Sequence, residues 1–154
     1  MGLIEEKLVT LGIELEEVPK PVAEYVPSMR TGDLVYTSGC DCRKNGVLLL
    51  KGKLGKELTV EDGQAAARQV MINILSVLSK ELGTLDRVKK VIKMLAFVNS
   101  TDEFNEQPYV INGASQLLVE VFGEKGRHAR SAIGTNTLPF DTPVEIELIV
   151  QVEE

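Results

Sequence analysis

Few side chains in this sequence could carry chemistry. His128 is the only histidine, so a His-rich zinc site is impossible, and Cys40, Cys42 and His128 together would need a fourth ligand from elsewhere. A Ser-His-Asp triad on His128 stays open, although no nucleophile-elbow pattern surrounds any serine. Gly52-Lys-Leu-Gly55-Lys lacks both the spacing and the trailing Ser or Thr of a phosphate loop. Cys40 and Cys42 stand too close in sequence to bridge without strain. Packing at a strand end is expected of them, because a thiol is activated only in an exposed, electropositive setting. Arg130 offers paired donors that fit a carboxylate bidentately, against the plainer reading of a surface arginine paired with an acid. Glu145 is either a solvated strand residue or a carboxylate able to hold a water and relay a proton. Tyr25 either packs at a half-buried edge or binds.

Composition narrows the setting. The chain has 154 residues with 17 Lys plus Arg against 23 Asp plus Glu, a net charge of −6, and it is 44% hydrophobic and 26% charged. Such a chain reads as one domain, residues 1–154, of an ordinary globular protein. The acidic balance argues against a dedicated nucleic-acid binder, whose affinity comes mainly from Lys and Arg on phosphates. Neither a secretory signal nor a membrane-spanning run is expected from the pattern, Val91 to Val98 being broken by Lys93. A cytoplasmic location is the expectation, and two unpaired thiols suit a reducing compartment.

The elements that must position those side chains follow from periodicity. Leu3, Ile4, Leu8 and Leu11 predict a short N-terminal helix ended near Gly12, an extension over residues 1–12. Pro19, Pro21 and Pro27 favour extended chain. Leu34 to Ser38 and Gly46 to Leu50 read as two strands, which the Asn45-Gly46 turn would join as a hairpin. The long helix is capped by Thr59, with Asp62 three residues on, and stops at Gly83; its stripe is Ala67, Met71, Ile74, Leu75, Leu78 and Leu82. Val88 to Val98 is a strand and Asp102 to Phe122 a second helix, carrying Tyr109 in its stripe. Ala129 to Thr135 is expected as the hairpin partner or near neighbour of the last strand. That strand alternates Val144, Ile146, Leu148, Val150 and Val152 with Glu145, Glu147, Ile149, Gln151 and Glu153, so one face is buried. The order β-β-β-α-β-α-β-β implies an α+β two-layer sandwich, a mixed six-stranded sheet with two main helices on one face. The consecutive Val47, Leu48, Leu49 and Leu50 suggest a strand covered on both faces, and hence a closed homo-oligomer.

The last quarter of the chain carries a pattern more specific than any of these pieces. Arg130-Ser131, a short strand, Leu138-Pro139, a four-residue turn and Val144-Glu-Ile-Glu147 resemble the C-terminal signature of the YjgF-like, or Rid, reactive-intermediate deaminase family. Tyr25 before Gly32-Asp-Leu-Val-Tyr-Thr-Ser-Gly39, the long helix, and the strand ending Ala96-Phe97-Val98 agree in order. The resemblance covers roughly residues 22 to 152, and the N-terminal helix looks like the extension of a longer-chained subgroup.

The resemblance implies a chorismate-mutase-like fold, a homotrimer, and ligand clefts between subunits. It assigns Arg130 to a substrate carboxylate, Glu145 to a water, and Tyr25, Gly39 and Asn112 to the cleft. Ala132 stands where many members have cysteine, harmless if that position acts through its backbone. The implied reaction is hydrolysis of 2-imino or 2-enamino acids to 2-oxo acids and ammonia, with no metal and no organic cofactor. The alternatives are a trimer that binds a small carboxylate without turning it over and, third, a ribonuclease, which the net charge and a basic cluster limited to Lys125, Arg127 and Arg130 disfavour.

Overall fold

In chain order the elements are helix α1 (Leu3–Thr10), strands β1 (Ser28–Thr31), β2 (Leu34–Thr37), β3 (Arg43–Lys44) and β4 (Val47–Leu48), helix α2 (Val60–Leu82), strand β5 (Val88–Asn99), helix α3 (Gln107–Phe122), and strands β6 (Ala129–Thr135) and β7 (Val144–Val152). This computed structural model describes residues 1–18, 20–21 and 23–154, so the reading of Pro19 as extended lies outside the described residues. Among them no helix is long and apolar enough to cross a membrane.

The main sheet runs β1-β2-β7-β5-β6, and β7 lies at its centre, antiparallel to both β2 and β5. Its alternation works as expected: Val144, Ile146, Leu148, Val150 and Val152 are buried, and the residues between them face the other way. Helices α2 and α3 form the second layer. Thr59 and Asp62 make a reciprocal capping box at the start of α2, each side chain accepting from the other's backbone N–H, and the predicted stripe is buried along its length. At Gly113 the two helices approach so closely that a Cβ would run into the Gln64 carbonyl.

The structure corrects the expected sheet in three places. It has five strands, not six, because the Asn45-Gly46 turn joins β4 to β3 in a separate two-stranded ribbon, while β2 pairs with β1. The tight turn is there, but it folds back on the residues just before it. Val47 and Leu49 are consequently exposed on the single chain. Third, β6 pairs in parallel with β5 rather than with β7. A parallel neighbour needs a long crossover, and α3 supplies it. Helix α3 also begins at Gln107, later than Asp102. Pro108 belongs in a first turn, where its missing N–H is harmless; a helix begun at Asp102 would put its ring inside. Tyr109 lies outside the buried stripe, exposed in that first turn.

Helix α1 has no side-chain cap of its own. Asp86, in a 3-10 turn over Leu85–Arg87, supplies one by accepting from Ile4 N (2.8 Å) and Leu3 N (2.9 Å). Glu5 returns the favour, accepting from Leu85 N (2.7 Å) and Thr84 Oγ1 (3.1 Å). The two helix starts thus cap each other, and α1 is tied to the end of α2 with Leu8 in the core. The N–H groups of Ile4 and Leu3 hold the Asp86 carboxyl below the usual aspartate range. A carboxyl depressed in the folded state stabilises above its unfolded pKa and loses that effect as pH falls through the folded one. Asp86→Asn is therefore expected to lower Tm at neutral pH and to speed amide exchange over residues 3–10. The Tm gap to the unmodified protein should close on acidification below the ordinary aspartate range; a gap independent of pH would show that the charge is irrelevant.

Candidate functional site

The sheet register decides which candidate residues meet. Across the face opposite the helices run rows of paired residues: Met29, Tyr36 and Ile149; Glu147, Leu95 and Ser131; Glu145, Phe97 and Ile133. Arg130 pairs through Met94 with Leu148, and Ala132 through Ala96 with Ile146, all on the helix-covered face. Glu145 and Arg130 therefore project to opposite faces, separated by three residues along the strands and two strands across, about 14 Å in the sheet plane. The candidate residues form two groups, not one.

The first group surrounds Glu145 in a cleft of about 300 Å³ whose lining includes Tyr25, Gly39, Cys40, Asp41, Arg43 and Phe140. Gly39 is there because the Glu145 carboxylate lies against its backbone: a Cβ would come within 2.9 Å of Oε2. Burial, then the charges of Asp41 and Glu147, pushes the Glu145 carboxyl above its ordinary range. Asp41 accepts from Arg43 Nε at 3.1 Å and from Arg43 N at 3.2 Å. This short loop is fixed to α2, since Asn73 Nδ2 donates to the carbonyls of Asp41 (2.9 Å) and Arg43 (2.8 Å). The Arg43 guanidinium lies 5.1 Å from the centre of the Phe140 ring.

Phe140 reaches that position through an unusual backbone. Phe140 (φ 59°) and Asp141 (φ 63°) are consecutive non-glycine residues in the left-handed region. Buried Asn99 holds them there: its Nδ2 donates to Asp141 Oδ1 (3.1 Å) and to the Gly52 carbonyl (3.2 Å). Lys53 Nζ donates to Asn99 Oδ1 (2.9 Å) and to the Asn136 carbonyl.

The second group surrounds Arg130. Nη1 donates to Ser115 Oγ (3.0 Å) and Nη2 to the Pro108 carbonyl (2.9 Å), both on α3. Asn112 lies between them on the same helix face, half-buried. Burial pushes the Arg130 guanidinium below its ordinary value, yet it stays charged at neutral pH. Among the described residues no carboxylate lies within ion-pair distance of it. Ala132 packs its methyl against the core on the same face.

His128 belongs to this group, a placement beside Arg130 that the sequence reading missed. Its Nε2 lies 2.9 Å from Ser115 Oγ and its Nδ1 2.6 Å from the Gly126 carbonyl. A carbonyl stands where a triad would have a carboxylate, so this is not a Ser-His-Asp arrangement. Asp41, Arg43, Asn73, Asn99 and Phe140 were missed as well. For His128 the signal was its position two residues before Arg130, which a strand's period of two places on the same side. The others come together only through tertiary contacts. Among the described residues no three His, Cys, Asp or Glu side chains converge as metal ligands would.

The geometry can be set beside known proteins. A family model described as "YjgF/chorismate_mutase-like, putative endoribonuclease" matches residues 5–152. The match begins within α1. Protein TCP17 of Trypanosoma cruzi is 45% identical over 152 residues, 97% of this chain and 94% of that protein. Among solved structures, the protein Atu1372 of Agrobacterium tumefaciens is 40% identical and superimposes with a TM-score of 0.91 over 99% of this chain and 93% of its own. A Shewanella oneidensis protein at 33% identity reaches a TM-score of 0.95 over 98% of this chain and all, 100%, of its own.

The cleft also settles how the thiols should behave. Burial, and then the charges of Asp41 and Glu145, pushes the Cys40 thiol up to about 12, and Cys42 is buried. Neither should act as a nucleophile, since the thiolate is the reactive form. Titration with a disulfide reagent at pH 8 is expected to find no fast-reacting thiol in the folded protein and two after denaturation. One thiol reacting at the rate of a free cysteine would contradict this.

Proposed function

The chain belongs to the YjgF/chorismate-mutase-like family, and from that premise we propose that it hydrolyses reactive 2-imino and 2-enamino acids to 2-oxo acids and ammonia, in sites formed between the subunits of a homotrimer. The observation that carries the reading is Arg130: a charged, partly buried guanidinium held by neutral oxygens, with no acidic partner among the described residues. An arginine fixed in this way is a ready receptor for a ligand's carboxylate.

The reaction assigned to Glu145 is a hydrolysis without redox change. Its carboxylate takes a proton from water as the water oxygen bonds to the carbon of the protonated imine, R–C(=NH2+)–COO−, giving a carbinolamine. Glu145 passes that proton to the nitrogen, the C–N bond breaks, and ammonia leaves. The hydroxyl proton departs through Glu145 to the ammonia, so the products are R–CO–COO− and NH4+. A carboxyl raised above its usual range is a stronger base for the first step.

Arg130 and Glu145 lie on opposite faces of one sheet, so they serve one substrate only if neighbouring copies contribute one each. Exposed Met29, Tyr36 and Ile133 on the open face supply apolar surface for such an association. A trimer that binds a small carboxylate without turnover would use Arg130 alone, and the turnover assay separates the two readings.

That assay generates an imine with an amino-acid oxidase and follows its decay with a trapping amine. Glu145→Gln is expected to lower kcat by about a hundredfold or more, as for loss of a general base, and Arg130→Ala to act mainly on KM. Subunits of the two variants, mixed equally and reassembled, should regain activity at about a quarter of their sites if each site draws on two copies. No recovery would put both residues to work within one subunit or neither.

The raised Glu145 carboxyl also sets a pH profile. Activity should rise as Glu145 loses its proton, above the ordinary glutamate range. Asp41→Asn removes one of the charges that raise it, so the rising limb of kcat/KM should move to lower pH. An unmoved limb would assign that limb to another group.

A further inference from the structure

Ser115 and His128 have no part in the reaction just described, yet with the imidazole neutral the hydrogen bonds through them run in one consistent direction. The Gly126 carbonyl can only accept, so His128 Nδ1, 2.6 Å away, carries a proton. In the neutral ring Nε2 is then an acceptor, and the Ser115 hydroxyl, 2.9 Å away, donates to it. With its proton committed, Ser115 Oγ turns its lone pairs toward Arg130 Nη1, which donates at 3.0 Å. The far end of this chain of bonds is fixed too. Gly126 is buried against α3, where a Cβ would run into the Leu118 carbonyl, so the acceptor for Nδ1 cannot swing away.

We propose that Ser115 and His128 are positioning residues that hold the Arg130 guanidinium in one orientation as a fork for the substrate carboxylate. This rests on the reading of Arg130 as the carboxylate receptor. Ser115 and Pro108 engage two of the guanidinium's five N–H donors, which leaves three, enough for a bidentate carboxylate. Half-buried Asn112, on the same helix face, has no side-chain partner among the described residues and stands beside the fork. An arginine freed from Ser115 would have to lose rotamer freedom when ligand binds, so the effect falls on affinity and leaves the chemical step alone.

Three variants test this, with pyruvate as the binding probe and iminopyruvate as substrate. Ser115→Ala removes the acceptor for Nη1. His128→Asn keeps a donor for the Gly126 carbonyl but has nothing to accept from Ser115. His128→Gln carries an amide oxygen near the place of Nε2 and can accept that proton. Ser115→Ala and His128→Asn are expected to raise KM and the pyruvate Kd about tenfold, the worth of one hydrogen bond to a charged group, with kcat within about twofold. His128→Gln should stay close to the unmodified protein, and this rescue is not expected of a histidine that merely fills space.

A readout without ligand accompanies the kinetics. Slow rotation of a held guanidinium should give resolved Nη signals for Arg130 in nitrogen-15 spectra, collapsed in Ser115→Ala and His128→Asn and retained in His128→Gln. Collapse without any weakening of pyruvate binding would overturn the proposal and leave the proposed function standing. Resolved signals and an unchanged Kd in Ser115→Ala would also overturn it, since Pro108 would then suffice. If the unmodified protein neither binds pyruvate nor turns over iminopyruvate, the proposed function fails first and the proposal fails with it.

Discussion

The structure depends on β7 serving two environments at once. Bonded to β2 on one side and β5 on the other, it cannot shift register by one residue without turning five buried aliphatic side chains to solvent and the glutamates into the core. Each fully buried aliphatic contributes roughly 1.5–3 kcal/mol, so the penalty for a slip is comparable to the total stability of an ordinary domain. The position of Glu145 is thereby fixed by hydrophobic energy that has no connection with its chemistry. The same register, carried through β5 to β6, sends Arg130 to the other face.

Side-chain placement off the strands needs local strain, and the turn before β7 shows how it is held. Two left-handed non-glycine residues cost roughly 1–2 kcal/mol each. Against that stand hydrogen bonds from Gly52 N to the Asp141 carbonyl (3.0 Å), Asp141 N to Leu138 O (3.1 Å), Thr142 N to Pro139 O (3.2 Å), Asn99 N to Pro143 O (2.9 Å) and Asn99 Nδ2 to Asp141 Oδ1 (3.1 Å). At roughly 1 kcal/mol apiece these outweigh the strain. The outcome is Phe140 set over Arg43, which is itself tied to Asp41 beside Glu145. The wall of the cleft is thus built by a buried asparagine on β5 that never reaches the cleft.

What the sequence made legible follows from how local each cause is. Thr59 with Asp62, Gly83 after Leu82, and the period of two in Val144 to Val152 are decided within a few residues, and each element appears where its pattern put it. The Asn45-Gly46 turn was equally local, but its strand partners were not, because pairing depends on which segments the rest of the sheet leaves available. The parallel β5–β6 pair was readable in principle from a strand, a helix and a strand in succession. The cleft around Glu145 was not, since Asp41, Asn73, Asn99 and Phe140 are scattered over a hundred residues and meet only after folding. Arg130 and Glu145 stood out through a motif whose regularity is that of two strands and a turn, and a motif carries no information on which face of the finished sheet each residue takes.

Ala132 can be weighed on the same terms. It follows Arg130 by two residues on β6, so it shares the helix-covered face, and its methyl packs against the core beside Ala96. A partly buried methyl has no polar atom to offer a substrate. The hydrolysis proposed for this protein needs a cation and a base that holds a water, roles which that proposal assigns to Arg130 and Glu145. Any hydrogen bond the strand offers at residue 132 must then come from its backbone: β6 is an edge strand bonded only to β5, and an edge leaves alternate N–H and C=O groups directed outward. Those groups do not depend on whether the side chain is a methyl or a thiol, so alanine at this position is compatible with the proposed chemistry.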